Sequence, residues 1–197
     1  MSNVGSDEAD AWSRARDGDP DAFTSLFDKH RDRVFGHALR LVRQPHDAED
    51  VTAMVFLEAW RRRDAVRAVD GSIIAWLLVT TNNTVHNLER GRRRYRAALA
   101  RMSEPGHEPD HADGVADNLD NKERDRRVRD AFASLSTADQ NVITLCVLEE
   151  LSLAEAARTL GVPVGTIKSR LSRAKRRLGD LTLASEPIQP AFEGGAE

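Results

Sequence analysis

Residues 151–178 read LSLAEAARTLGVPVGTIKSRLSRAKRRL, and this stretch constrains the fold more than any other. Its apolar residues recur at the three- and four-residue spacing of a helix, and Ser152 stands at the N-cap position. Gly161 suits the left-handed conformation that often ends a helix, and Pro163 suits the first turn of the next one. The pattern predicts two short helices joined by a tight turn.

The second of these helices is rich in cations. Its predicted apolar stripe lies at Val164, Ile167, Leu171, Ala174 and Leu178. Because Lys168, Arg173 and Arg176 fall largely off this stripe, they are able to face a partner. A tight turn followed by a basic helix is typical of a helix-turn-helix that enters the major groove of DNA. The alternative is an amphipathic helical hairpin with a solvated basic face.

The composition fits a helical chain with segregated charge. Of 197 residues, 40% are hydrophobic and 5% aromatic, with Ala, Leu and Arg prominent, which favours helices over sheet. The formal net charge of −3 argues against nucleic-acid binding only as an average. Cations concentrate at residues 90–101 and 168–177, and acids at 104–125. Such segregation is compatible with a nucleic-acid partner, since the distribution of charge decides binding.

Several classes of protein are excluded by what the sequence lacks. It has no nucleophile elbow, glycine-rich phosphate loop or metal-ligand spacing, so we predict no enzyme, no cofactor and no metal site. His30 and His37 lack a companion cluster of Cys or acids, and are predicted to be surface or half-buried helical residues. No apolar run reaches the length of a membrane span, and the N-terminus has no signal-peptide core, which predicts a cytoplasmic protein without membrane insertion.

The periodicity predicts an all-α chain of two small helical domains, at residues 11–101 and 123–183. Residues 102–122 are rich in Asp, Glu, Gly and Pro, and are predicted to form a flexible acidic linker. Residues 1–10 and 184–197 are predicted to be disordered. A flexible linker of this length spans about 25 to 30 Å on average and about 80 Å when taut, so two separated sites are within reach.

Two stretches of the first domain carry candidate chemistry. Residues 47–60, DAEDVTAMVFLEAW, begin with acids that either serve a partner or stabilise the positive end of a helix. Residues 75–94, AWLLVTTNNTVHNLERGRRR, place five poor helix formers before a row of arginines. Amides and hydroxyls can contact base edges, and arginines can hold phosphates. A bound anion would also neutralise the repulsion between such closely spaced cations.

In this order, the three stretches resemble a bacterial RNA polymerase sigma factor of the extracytoplasmic-function (ECF) group of the sigma-70 family. The resemblance covers about residues 11–182. Thr80 and Asn82 depart from the pattern, because the family often has an aliphatic residue and an arginine at these positions. The resemblance implies a protein that binds core RNA polymerase, recognises the −10 and −35 elements of promoter DNA and directs transcription initiation, including promoter melting.

The resemblance also implies which residues belong to each site. Those at or near the contact with the clamp helices of core polymerase are Asp47, Glu49, Asp50, Phe56 and Trp60. Those at the −10 element, including capture of a flipped base, are Val69, Asp70, Gly71, Ser72, Asn83, Asn87, Arg90, Arg92, Arg93 and Arg94. At the −35 element, the base-edge readers are Lys168, Ser169, Ser172 and Arg173, and the phosphate contacts are Thr166, Arg170 and Arg176.

Promoter geometry adds one further expectation. Elements about 17 base pairs apart are separated by about 58 Å at about 3.4 Å per pair. Docking on polymerase would hold two tethered domains at that separation, so the isolated chain is predicted to bind promoters weakly. The alternative function is a helix-turn-helix regulator that binds DNA without polymerase. Many relatives are held inactive by a partner protein, so an anti-sigma factor is a further candidate partner.

Overall fold

The computed structural model describes residues 4–102 and 119–184, and within them it is helical, as predicted. Eight α-helices are described: α1 Val4–Arg16, α2 Pro20–Val42, α3 Pro45–Arg61, α4 Ile74–Met102, α5 Leu119–Ser134, α6 Thr137–Ile143, α7 Leu153–Leu160 and α8 Val164–Ala184. A short 3₁₀ turn follows α3 at Arg63–Ala65, and a π-helical turn follows α6 at Thr144–Leu148. No helix of the described ranges is long and apolar enough to cross a membrane.

The first helix of each domain begins earlier than the sequence predicted. Residues 4–10 belong to α1, although residues 1–10 were predicted to be disordered. Buried Glu8 holds this helix in place through contacts with residues far away in sequence, which periodicity does not reveal. Helix α5 begins at Leu119, inside the predicted linker of 102–122. Residues 103–118 and the predicted tail beyond Ala184 lie outside the described residues.

The first domain is built on packing between α2, α3 and α4, with α1 against α2. Asp19 starts α2 by accepting hydrogen bonds from the backbone N–H groups of Asp21 and Ala22. The prediction that His30 and His37 lie at the surface or half-buried is wrong, since both are buried polar residues. His30 contacts Glu8, and desolvation lowers the pKa of His37 to about 4.

The second domain contains the two helices that the sequence predicted in most detail. Ser152 and Glu155 form a capping box at the start of α7. The Ser152 side chain accepts from the Glu155 backbone N–H, and the Glu155 carboxylate accepts from the Ser152 backbone N–H. Gly161 ends the helix at φ 67°, the left-handed conformation that glycine adopts without strain. Ser136 caps α6, and its side chain accepts a hydrogen bond from the Asp139 backbone N–H. These local signals therefore fixed the helix-turn-helix of α7 and α8.

The two domains pack against each other. Helix α6 and the π-helical turn contact α4, and α5 contacts α2. One cluster of buried apolar side chains contains Ala75 of α4 together with Val142, Leu145 and Ile167 of the second domain. The second domain therefore covers part of the N-terminal half of α4, around Ala75.

Candidate nucleic-acid interface

Helix α8 presents its cations to solvent. Ile167 and Ala174 are fully buried, which directs the opposite side of the helix outward. The exposed residues of the predicted −35 set are Lys168, Ser169, Ser172, Arg173 and Arg176. Thr166 and Arg170 are half-buried at the edges of this face. All seven therefore lie on or beside one surface, which we call the α8 face.

One side of the α8 face borders a cleft of about 530 Å³. Arg170, Arg173, Arg176 and Arg177 line it, opposite Ser136 and Ala138 at the start of α6. Asp139 and Asp180 also line the cleft, so its four arginines outnumber the acids and leave it with an excess of positive charge, as a site for phosphate oxygens requires. The α8 face thus combines donors for base edges with cations for the backbone of a duplex.

The loop before α4 is a tight turn. Val69 and Ser72 exchange two backbone hydrogen bonds, each with an N···O distance of 2.9 Å. Asp70 has φ 50° and Gly71 has φ 80°, so both central residues are left-handed, as in the Asp-Gly turns of hairpins. Val69 is buried, whereas Asp70 at the tip is exposed. The turn, residues 69–72, therefore projects a rigid tip beside α4.

Glu8 anchors this turn to the domain. Its Oε1 accepts from the backbone N–H of Ile73 at 3.0 Å and from His30 Nε2 at 2.8 Å. Its Oε2 lies 2.7 Å from Lys29 Nζ. Burial opposes the charge, but hydrogen bonds from His30, Lys29 and Ser72 lower the pKa of Glu8 to about 2. The carboxylate is thus charged at neutral pH, and its bond with the Ile73 N–H fixes the residue that follows the turn.

Helix α4 divides its polar residues between two environments. Asn83 and Asn87 are exposed and line a groove of about 990 Å³. Thr81 and Asn82 are buried, so the expectation that they contact nucleic acid does not fit this conformation. The Thr81 hydroxyl donates a hydrogen bond to the carbonyl of Leu77, one turn earlier in the same helix. Only part of the polar run is available to a strand of DNA.

The arginines of α4 lie at its exposed C-terminal half. Arg90, Arg92, Arg93 and Arg94 are all exposed. Arg92 pairs with Asp47 at the start of α3, with Nη2 2.6 Å from Oδ1. This contact lowers the pKa of Asp47 and raises that of Arg92. The structure therefore brings a residue of the predicted −10 set together with one of the predicted polymerase-binding set.

Helix α3 supplies an acidic surface with apolar residues beside it. Glu49 and Asp50 are exposed, and Asp47 is partly covered by Arg92. Phe56, predicted to lie at or near the polymerase contact, is 3% exposed, and its ring packs against Phe23 and Phe27 behind this surface. Trp60 is half-buried and also stacks on Phe23. A helical stripe of aromatics does not reveal which rings fill the core.

Sequence reasoning missed two exposed apolar residues on this helix. Met54 and Leu57 are 45% and 57% exposed, on the side of α3 that carries Asp50. Exposed large apolar side chains next to acids are typical of a surface for a protein partner. The signal was present in the sequence, since both residues lie one or two positions off the buried stripe of Val51, Val55 and Ala59. We call Asp47, Glu49, Asp50, Met54 and Leu57 the α3 surface.

Comparisons with known proteins match both halves of the chain. The family model described as Sigma-70 region 2 matches residues 26–95, and Sigma-70, region 4 matches residues 125–178. The ECF RNA polymerase sigma factor SigK of Mycobacterium sp. (strain KMS) is 31% identical over 160 residues, which cover 81% of this chain and 82% of SigK. The chain belongs to the ECF RNA polymerase sigma factors.

Further relatives agree with this sigma-factor assignment. SigK of Mycobacterium tuberculosis (strain ATCC 25177 / H37Ra) is 29% identical over 174 residues, 88% of this chain and 92% of that protein. CnrH, solved in complex with the cytosolic domain of CnrY, is 25% identical with a TM-score of 0.59, over 91% of this chain and 99% of CnrH. RpoE of Bartonella quintana, solved with the anti-sigma factor NepR, shares the fold at a TM-score of 0.55, with 23% identity over 83% and 98% of the chains.

The family models coincide with the two packed units of the sigma factor. Region 2 covers α2 from Leu26 onward, all of α3 and most of α4, together with the turn at residues 69–72. Region 4 covers most of α5, all of α6 and α7, and α8 as far as Leu178. The family consists of transcription initiation factors and not enzymes. Within residues 4–102 and 119–184, no three His, Cys, Asp or Glu side chains are grouped as a metal site requires.

Proposed function

We propose that this sigma factor uses the α8 face to read the −35 element of promoters. The observation that supports this most directly is the exposure of Lys168, Ser172 and Arg173 on the second helix of a helix-turn-helix. A lysine or arginine paired with guanine contributes about 1 to 3 kcal/mol of discrimination between bases. Arg170 and Arg176, on the neighbouring cleft, would hold the phosphates that set the register.

The first domain takes the −10 element in this proposal. Asp70 and Gly71 form the rigid tip beside α4, and Asn83 and Asn87 offer amides along the adjoining groove. Contacts of this kind with a base flipped out of the duplex would offset an unstacking cost of a few kcal/mol. The exposed arginines at residues 90–94 would hold the phosphates next to that base. Melting thus begins where the strand is captured.

The α3 surface binds core polymerase in this proposal. Its acids Glu49 and Asp50 fit a basic partner, and Met54 and Leu57 supply the apolar area that a stable contact needs. Phe56 and Trp60 act from behind, since their rings hold α3 against α2. The sigma factor would work in the cytoplasm, where core polymerase is found. An anti-sigma factor is a further proposed partner, as for RpoE with NepR.

In vitro transcription with core polymerase on genomic fragments, followed by mapping of RNA start sites, tests this function. We expect RNA to start at defined positions only when the sigma factor is present. Arg173→Ala should reduce initiation at the mapped promoters while leaving co-purification with core polymerase intact. Glu49→Lys with Asp50→Lys should do the reverse and abolish co-purification. Tight, specific promoter binding by the chain alone would instead support a regulator that works without polymerase.

A further inference from the structure

We infer that Glu8 of α1 is a positioning residue for the capture of a melted base, because its carboxylate fixes the turn at residues 69–72 that would bind that base. This inference rests on the −10 assignment proposed above. Glu8 is buried, so it acts through the residues that it holds and not by touching DNA. It also lies outside residues 26–95, the part of the chain that matches the region 2 family model.

The Glu8 carboxylate collects donors from two separate elements. Lys29 and His30 of α2 donate to it, with Nζ 2.7 Å from Oε2 and Nε2 2.8 Å from Oε1. The backbone N–H of Ile73 donates to Oε1 at 3.0 Å. The Ser72 hydroxyl is a fourth donor to the same carboxylate. Glu8 therefore joins the end of the turn to α2, although it belongs to neither.

Helix α4 lacks the residues that would complete its own N-terminal cap. The Ile73 carbonyl accepts a bond from the Leu77 N–H at 3.0 Å, so Ile73 stands at the N-cap, and isoleucine has no side-chain oxygen. In a capping box, a Glu three residues later accepts from the N-cap N–H, but α4 has Trp76 there. Glu8 accepts from that N–H instead, so α1 completes the cap of α4.

Helix α7 shows the self-contained alternative. Its capping box joins Ser152 and Glu155, which lie three residues apart in the same short segment. Such a cap depends on nothing outside that segment. The start of α4, by contrast, keeps its cap only while Glu8 is in place. Because Ile73 is 0% exposed, loss of the Glu8 carboxylate would leave a buried N–H without its acceptor.

The bonds of Glu8 also set the direction of the turn. The two bonds between Val69 and Ser72 close the turn on itself and do not tie it to another element. Val69 and Ile73 are buried on either side of the tip, but apolar packing is non-directional. Hydrogen bonds weaken steeply when they are bent. The bonds from Ser72 and Ile73 to Glu8 therefore define the angle at which the tip projects.

Docking of α1 does not by itself account for a buried carboxylate. Trp12 and Ala15 of α1 are buried, and the helix packs along α2. Apolar contacts of this kind hold two helices together without the desolvation cost that a buried charge brings. At Glu8 that cost is offset by donors, two of which belong to the turn or follow it directly. The placement of those donors indicates a role in ordering the turn.

Four variants separate positioning from general stability. Glu8→Ala removes the carboxylate. Glu8→Gln keeps its size and one acceptor oxygen, and carries the test if Glu8→Ala does not fold. Asp10→Ala is the matched control, because Asp10 is an exposed acid of the same helix. Val34→Ala destabilises the same domain from a fully buried position of α2 without removing a bond to the turn.

Base discrimination by the holoenzyme is the first measurement. The probes are fluorescent single-stranded oligonucleotides that carry the −10 element of a mapped promoter, each substituted at one position. At the captured base, the wild type should prefer one base by at least about tenfold, as one good base contact provides. Glu8→Ala should reduce this preference to within about threefold, and Glu8→Gln should lie between them. Asp10→Ala should keep the wild-type preference.

Val34→Ala should also keep that preference, although it lowers the fraction of folded, active protein. A ratio of two affinities does not depend on the active fraction, so a purely stabilising residue leaves it unchanged. All four variants should co-purify with core polymerase, because neither the α3 surface nor the α8 face contains a residue that hydrogen-bonds to Glu8.

Amide hydrogen exchange of the free chain is the second measurement. Relative to amides in the middle of α2, the Ile73 N–H should exchange at least about tenfold faster in Glu8→Ala than in the wild type. Asp10→Ala should leave this relative rate unchanged, and Val34→Ala should speed both sets of amides alike.

Wild-type discrimination in Glu8→Ala and Glu8→Gln, or an unchanged relative exchange rate of Ile73, would overturn the inference. An equal loss of discrimination in Val34→Ala would overturn it as well, since Glu8 would then only stabilise the domain. A wild type that discriminates at no −10 position would instead contradict the proposed function. The exchange rates would still decide whether Glu8 holds the turn.

Discussion

The two surfaces proposed to bind DNA, the α8 face and the −10 face (the turn at residues 69–72 with Asn83 and Asn87), differ in their contacts with the other parts of the chain. On the α8 face, Lys168 and Arg173 are exposed to solvent. On the −10 face, Asp70 and Asn83 contact residues of the second domain. A face that reads intact duplex can stay open, because duplex DNA is present before initiation. Asp70, Asn83 and Asn87 nevertheless remain exposed, so the second domain borders the −10 face without burying it.

The largest expected effect concerns the apolar contact between α4 and the second domain, which lies beside the −10 face. Leu145 is fully buried in the cluster shared by both domains. Leu145→Ala removes packing from the second domain and from its seat on α4, and should cost about 2 to 5 kcal/mol of unfolding free energy. Urea unfolding followed by circular dichroism measures this. Leu183→Ala, at an exposed leucine of α8, is the control and should change stability by less than about 0.5 kcal/mol.

A somewhat smaller effect concerns Glu8, whose carboxylate anchors the turn at residues 69–72 of the −10 face. Its folded pKa is about 2 against an ordinary 4.5, so the folded state binds the proton more weakly than the unfolded state. The resulting stability, of order 3 kcal/mol, is present above about pH 4.5 and is lost as the pH falls towards 2.

Unfolding free energies measured from pH 2 to pH 7 test the role of Glu8. In Glu8→Gln the dependence on pH should be flatter and the stability at neutral pH lower. Asp10→Asn, at an exposed acid of the same helix, should keep the wild-type profile. Equal slopes for Glu8→Gln and the wild type would show that Glu8 is not the group that titrates.

The exposed α8 face offers the next effect. Arg173→Ala should weaken promoter complexes of the holoenzyme by about 1 to 3 kcal/mol, roughly 5- to 150-fold, because a cation is lost from the surface proposed to read base edges. Mobility shifts on a mapped promoter measure this loss. Lys175→Ala removes an exposed cation of the same helix outside the proposed set, and should cost less. If the two variants were equally weakened, the α8 face would supply only charge.

The smallest effect concerns Asp47 and Arg92, where the polymerase-binding and DNA-binding surfaces adjoin. Because the Arg92 side chain is 56% exposed and solvent screens the pair from that side, a double-mutant cycle with Asp47→Asn and Arg92→Gln should give a coupling of about 0 to 1 kcal/mol in unfolding. The coupling should shrink as salt is raised. A coupling that is insensitive to salt would indicate a contact other than the ion pair.

The helix-turn-helix was predictable because its signals are local. Ser152 and Glu155 form their capping box three residues apart, and Gly161 adopts a conformation that its lack of a Cβ allows. The same holds for the exposure of Lys168 and Arg173, which follows from the apolar spacing of one helix. Both observations depend on residues within two turns of each other.

The polar run of α4 was misinterpreted in part for the opposite reason. Asn82 resembles Asn83 in sequence, and either amide satisfies the pattern of a helix that faces DNA. The difference arises from Asn141, which is 59 residues further along the chain and meets Asn82 only when the second domain docks. Likewise Glu8 finds its partners 22 and 65 residues away. No sequence pattern within one helix reveals contacts between residues that lie so far apart along the chain.

The sequence by itself therefore determined the all-α fold, the helix-turn-helix, the family and the basic surface of α8. Tertiary structure alone decided which polar and aromatic residues are covered, as for Asn82 and Phe56. The physical reason is that periodicity records the face on which a side chain lies, whereas burial depends on what packs against that face. For this sigma factor, the second domain packs against the surface proposed to capture melted DNA.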